Sequence, residues 1–309
     1  MITKTSLLTF KKINLVIVCA FTYTLAFTQK MENTVDLNAQ HWHDGSENCK
    51  ENTNSPIQVV QYNSNTWILR QNICTHFEAP FMFLFIGSNK ALLMDTGATK
   101  EEDVFPLYET VNGILNHWSE KNGEVELILA HSHSHNDHYA ADGQFMGKPN
   151  TTVVPLSIEY VKNFFQFQNW PEDNVELDLG NRIIKIIPIP GHQKASIAVY
   201  DTSSKILLTG DTFYPGRLYV DDWDSFGKSI NRLVDFTEHH EISYILGNHI
   251  EMSTTDGIDY PMKSTYHPQE HKLPLTIEDL KELQLALTNL GNTPTNEVHK
   301  NFIIYPINQ

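Results

Sequence analysis

Residues 131–138 read HSHSHNDH, four imidazoles and one carboxylate in eight positions, directly after the apolar run VELILA. Neutral imidazole and ionised carboxylate both offer lone pairs to zinc, so the stretch has the composition of a metal cage. Spacing sorts its members. Side chains two apart on an extended segment point the same way, so His133 and His135 can grip one ion, while Asp137 and His138, beyond the turn, can address a second. Counting from His131 instead would put His135 where the carboxylate belongs, so His131 is expected beside the cage rather than in it.

The remaining candidates also follow apolar runs: His192 after IIPIP, Asp211 after KILLT and His249 after YILG. Ligands gather where several strands end at one rim, and this regularity points to such a rim. No cysteine occurs after Cys74, so none can serve as a ligand in this half of the chain.

The elements that must position these groups are legible from periodicity. PIQVVQYNSNTWILRQNICTHF alternates like half-buried strands, and PFMFLFIG with ALLMDTG predicts a hairpin turning at GSNK. Helical spacing runs through Val104, Leu107, Val111, Leu115 and Trp118. The second half repeats the grammar, with strands in NRIIKIIPIPGH, ASIAVYD, KILLTGDT and ISYILGNHI and a helix in SFGKSINRLVDFTEHH. KALLMDT echoes KILLTGDT, which suggests two β-rich halves packed face to face with helices outside: an α/β (α+β) chain in a four-layer αββα sandwich. A further helix is expected in TIEDLKELQLALTNL, opened by Thr276. Tyr266, His267 and His271 are read as residues of the long loop before it. Residues 29–55 lack periodicity and read as an N-terminal leader, leaving 56–309 as the domain with its C-terminal loop and helix.

Lys4, Lys11 and Lys12 precede INLVIVCAFTYTLAF, and small residues follow at Ala26 and Thr28, so residues 1–28 read as a cleaved signal peptide. The apolar run falls short of the ~20 residues that span a bilayer, so export to the periplasm or medium is expected, without stable membrane insertion. Cleavage would lower Lys and Arg from 22 to 19 against 37 acids, taking the net charge from −15 to −18. Phosphate binding needs clustered cations, so no nucleic-acid partner is expected. Export would also leave Cys49 and Cys74 where a disulfide can persist, and the pair is a candidate bridge.

SHSHNDH resembles the HxHxDH motif of the metallo-β-lactamase-fold hydrolases, and MDTG, PGH, TGDT and GNH take the family's order around it over about residues 57–250. The resemblance implies that His133, His135 and His192 bind a first metal, that Asp137, His138 and His249 bind a second, and that Asp211 bridges them. It implies a structural Asp95 beneath the metals. Two zinc ions sharing a water can lower its pKa and polarise a substrate oxygen, making the bridging hydroxide the nucleophile and Asp137 a catalytic residue. With Asp211 where thiol-type β-lactamases carry Cys, the chain is similar to the glyoxalase II and lactonase branch, and β-lactam hydrolysis would be secondary. Tyr214, three residues after Asp211, is similarly placed to an oxyanion-binding tyrosine of acyl-homoserine lactonases, and Arg217 is a candidate for pairing a substrate carboxylate or for a salt bridge. The expectation is an exported zinc hydrolase cleaving an ester, lactone or related bond of a small molecule. The alternatives are a mononuclear nonheme iron dioxygenase of the same fold and a noncatalytic metal-binding module. Nothing in the sequence sets the oligomeric state.

Overall fold

Strands buried on both faces must be apolar at every position, and FMFLFI meets that condition. The computed structural model describes residues 34–307, so the expected signal peptide lies outside the described residues. The first sheet runs in chain order: β1 (Ile57–Asn63), β2 (Thr66–Gln71), β3 (Phe81–Ile86), β4 (Lys90–Met94), β5 (Glu126–Ala130) and β6 (Thr151–Val153). Between β5 and β6 and around them lie α1 (Leu107–Asn122), α2 (Asn136–Tyr139), α3 (Asp142–Phe145) and α4 (Ile158–Phe165). The chain then forms β7 (Val175–Asp178), β8 (Ile183–Pro188), β9 (Ile197–Asp201), β10 (Ile206–Gly210), β11 (Arg217–Val220), α5 (Trp223–His239), β12 (Tyr244–Gly247) and β13 (Pro274–Leu275). All but β11 of these strands make the second sheet, in the order β13-β12-β10-β9-β8-β7. After α6 (Ile277–Leu290), β14 (Glu297–Val298) and β15 (Ile303–Pro306) join β11 in a small third sheet.

The period of two along each strand builds the layers. Ile68, Phe83, Phe85, Leu92 and Ile128 of the first sheet meet Ile184, Ile186, Val199, Ile206 and Leu208 of the second. Their neighbours Leu69, Met82, Leu84, Leu93 and Leu129 face outward onto Leu107 and Val111 of α1 and Phe145 of α3. On the far side, Ile187, Ala198, Leu207 and Ile245 pack under Ile230 and Leu233 of α5 and Leu280 and Leu283 of α6. The result is the four-layer αββα sandwich expected, with the two sheets face to face and the helices outside.

Two polar clasps join the sheets at opposite ends. At the end away from the histidines, buried Arg182 pairs with Asp201 (2.6 Å) and donates to the carbonyls of Asn65 and Ile86 and to Thr66 Oγ1 across the interface. The other clasp lies at the metal-ligand rim.

Two departures from expectation have local causes. The helix expected from Val104 begins at Leu107, because Pro106 disfavours helical backbone at Phe105, and Val104 is left exposed. Thr276 caps α6 as expected, in a reciprocal box with Asp279. The segment 34–55, expected to lie before the domain, is part of it: Leu37 and Trp42 are buried in the layer between the sheets, and the Trp42 ring meets Phe81 edge-on at 4.8 Å. An extended strap can bury isolated apolar side chains without any period, which is why it read as a leader. Cys49 and Cys74 form the disulfide that ties this strap to the loop after β2.

Replacing both cysteines by serine should lower the unfolding free energy by about 3.5 kcal/mol, the chain-entropy value for their 25-residue separation, as measured by urea titration. Arg182→Ala should cost about 3–5 kcal/mol in the same assay, because it strands the Asp201 carboxylate in the interior.

Candidate metal centre

Parallel pairing of β4 with β5 and of β10 with β12 brings the ends of these strands to one rim. Asp95 follows β4, His131–His138 follow β5, His192 follows β8, Asp211 follows β10 and His249 follows β12. Antiparallel β9 between β8 and β10 keeps those two running the same way. Cross-sheet bonds close the rim: Ile197 N to Ser132 O (2.8 Å), Phe81 N to Asn248 O (2.8 Å) and Asn248 Nδ2 to Asp95 Oδ2 (2.6 Å). The His192 turn depends on Gly191, whose φ is +142° and where a Cβ would lie 2.4 Å from the α5 backbone at Phe226.

The predicted ligands converge in two groups, His133, His135 and His192 in one and Asp137, His138, Asp211 and His249 in the other. In the first, His133 Nε2, His135 Nδ1 and His192 Nε2 lie 3.0–3.2 Å apart. In the second, Asp137 Oδ2 is 3.2 Å from His138 Nε2 and 3.3 Å from His249 Nε2. Asp211 stands between the groups: its Oδ2 is 3.4 Å from His138 Nε2, 3.8 Å from His133 Nε2 and 3.9 Å from His192 Nε2, while Oδ1 is 3.4 Å from His249 Nε2. His135 is exposed and Asp137 partly so, so the centre opens to solvent on their side.

These atoms fit zinc. Ligands about 2.0–2.1 Å from a tetrahedral ion stand roughly 3.3 Å apart, the spacing found here. Rings are also turned lone pair inward. His192 Nδ1 donates to Tyr219 O and His249 Nδ1 to Glu78 O, both at 2.8 Å, which leaves each Nε2 bare toward the centre. His138 Nδ1 lies 3.3 Å from Asp95 Oδ2. Asp211 Oδ1 is buried without a hydrogen-bond partner. Burial lowers the pKa of His133 and His192, favouring the neutral ring a metal needs. Burial also opposes charge at His138 and His249, but the Asp211 and Asp137 carboxylates outweigh it and raise both. Those carboxylates are in turn held well below their usual range, against burial, by the same two rings. The second group therefore demands positive charge.

Asp95 holds the arrangement from below. Its backbone is left-handed (φ 67°), and its carboxylate accepts from Ser132 N, Asn248 Nδ2 and His138 Nδ1, spanning two of the ligand-bearing loops. His131 lies outside both groups, against Asp142 at 2.9 Å, as its position in the motif implied. Tyr266, His267 and His271 also stay outside both groups.

One expectation is corrected, and for Arg217 the salt bridge is the alternative found. Tyr214 does not offer its hydroxyl to the centre: it is fully buried, its ring packs beside His249, and its proton is directed to Arg217 O with Glu251 3.2 Å away. Arg217 is equally committed, its buried guanidinium pairing with Glu251 and Asp259. Tyr219 supports His192 through its carbonyl, and its own hydroxyl is pushed up to about 12, first by burial. It lines a cavity of about 220 Å³ with Phe77, Glu78 and Tyr260. Burial likewise raises the carboxyls of Glu78 and Glu251. The supporting carbonyls of Glu78 and Tyr219 carry no sequence signal, whereas Asn248 stood in view within GNH. Asp95→Ala should weaken metal binding by about 10–100-fold through His138, measured by competition with a chromophoric chelator, while the first group keeps its affinity.

The pattern of the metallo-beta-lactamase superfamily matches residues 77–246, more than half of the chain. Over 133 residues the chain is 26% identical to the acyl-coenzyme A thioesterase MBLAC2 of Bos taurus, covering 40% of this chain and 47% of that protein. Over 126 residues it is 29% identical to the hydroxyacylglutathione hydrolase of Prochlorococcus marinus (strain MIT 9312), covering 39% and 50% respectively. The chain thus spans about half the length of the curated relatives it matches. A metallo-beta-lactamase structure from Pontibacter korlensis aligns with 75% of this chain and 99% of its own at 18% identity and a TM-score of 0.47. By motif, by ligand geometry and by the family pattern's match over residues 77–246, the chain belongs to the metallo-beta-lactamase superfamily.

Proposed function

We propose that this protein is an exported dinuclear zinc hydrolase that cleaves an ester, thioester or lactone bond of a small molecule. The observation that carries the reading is the pair of ligand groups with Asp211 between them. Zinc held there supplies a Lewis acid for a carbonyl oxygen and a water ionised near neutral pH as nucleophile. The four donors of the second group support two ions over the single iron of the dioxygenase alternative. The relatives' names, a thioesterase and a hydroxyacylglutathione hydrolase, favour an acyl bond over a phosphodiester.

The chain's own groups have distinct tasks in this reading. Asp137, kept ionised by His138 and His249, would offer its Oδ2 to the second ion. Asp211 sets the spacing of the two groups. The carbonyls of Tyr219 and Glu78 fix the tautomers of His192 and His249 and so keep their Nε2 atoms available. Tyr214 acts through packing against His249. The Cys49–Cys74 disulfide supports an oxidising compartment and hence export. Among the described residues no helix is long and apolar enough to cross a membrane.

Purified protein should carry two zinc ions per chain by mass spectrometry, one for each ligand group, and lose activity on chelation. Proton release should reveal turnover of one class in a panel of lactones, thioesters, phosphodiesters and β-lactams. Asp137→Ala should lower kcat/KM by about 100-fold or more with the far-ultraviolet dichroism unchanged. Full activity in that variant with metal retained would remove the mechanism.

A further inference from the structure

The 220 Å³ cavity beside the centre is bounded by the loop 77–79, by β11 and by the loop 260–267. Its walls and the metal centre share residues. Glu78 lines it and holds His249 with its carbonyl; Tyr219 lines it and holds His192 in the same way. A group lodged in the cavity therefore lies against the residues that orient one ligand of each set.

The size and charge of the cavity restrict what that group can be. At about 220 Å³ the cavity has room for a compact substituent. Two arginines line it, but neither is free. Arg70 is held by both oxygens of Glu270 at 2.6 Å, and Arg217 by Glu251 and Asp259. Lys263 also lines the cavity and is exposed to solvent. Glu78 differs: it is partly buried, and among the described residues its carboxylate has neither an ion pair nor a side-chain hydrogen bond. Phe77, Tyr219 and Tyr260 stand around it, and aromatic faces beside a carboxylate favour a cation.

The walls are also fixed in place. Cys74, on the loop that carries Phe77 and Glu78, is bonded to Cys49 of the strap. The strap bonds the opposite wall through Ser46 N to Thr265 O and His267 N to Asp44 O. Gly45, at φ +78°, lies so close that a Cβ would meet Thr265 O at 2.1 Å. The cavity is thus a built feature with both walls tied to one segment.

We infer that this cavity receives the substrate group next to the scissile bond, and that Glu78 selects a compact group bearing an ammonium over one bearing a carboxylate. The inference rests on the hydrolase reading for its catalytic form, but binding in the cavity does not.

Three thioesters test it: the propionyl, glycyl and malonyl esters of one small thiol. Zinc-loaded wild type should favour glycyl over malonyl by roughly tenfold or more in kcat/KM, and Glu78→Gln should bring that ratio close to the ratio of their uncatalysed rates, with zinc content unchanged. The same ratio in wild type and variant would overturn the inference. If the wild type hydrolyses none of the three, the hydrolase reading is in question while the cavity is tested separately. In metal-free protein, methylammonium chloride should shift the ring resonances of Tyr219 and Tyr260 where sodium acetate does not, and Glu78→Gln should remove the effect. No shift in the wild type, or equal shifts in the variant, would refute selection by Glu78.

Discussion

Five imidazoles and two carboxylates turned inward at one rim cannot coexist there without positive charge among them. Burial opposes the charging of His133, His138, His192 and His249, and proximity opposes two bare carboxylates, so protons or metal ions must compensate. The rest of the structure is arranged around this demand. Backbone carbonyls of Glu78 and Tyr219 take the outer nitrogens of His249 and His192, so the inner nitrogens have nowhere to turn. Asp95 does the same for His138 while holding the Ser132 amide and the Asn248 side chain.

Such a centre requires two sheets held at a constant separation, because its ligands come from both. The apolar layer between them supplies most of the attraction but little registration, since hydrophobic contact is not directional. Registration comes from the polar clasps at the two ends, Asp95 with Asn248 at the rim and Arg182 with Asp201 at the far side. Both are buried, so a shift of one sheet against the other would leave donors and carboxylates unsatisfied. The strap adds a third constraint on the rim by joining the loop of Cys74 to the loop of Thr265.

Much of this was legible in residue order because the local signals are strong. Apolar runs of five or six residues ending in His or Asp mark strands whose ends carry ligands, and HSHSHNDH places two groups on either side of a short turn. Harder to read were features that depend on approach from a distance. Tyr214 and Tyr219 both follow Asp211 closely, yet only Tyr219 lines the cavity. The Tyr214 ring folds back over Gly216, where a Cβ would lie 2.1 Å from it, and such a reversal leaves no mark in spacing. Leu37 and Trp42 enter the core from an aperiodic strap for the same reason.

The sequence by itself determined the donor set and the strands that deliver it, because side-chain chemistry and the period of two are properties of neighbouring residues. Tertiary structure alone decided which nitrogen of each ring faces inward, where Arg217 finds its partners and which acid is left without one. Those outcomes turn on carbonyls and carboxylates distant along the chain, such as Glu78 against His249 and Glu251 against Arg217, and they exist only once the two sheets have closed.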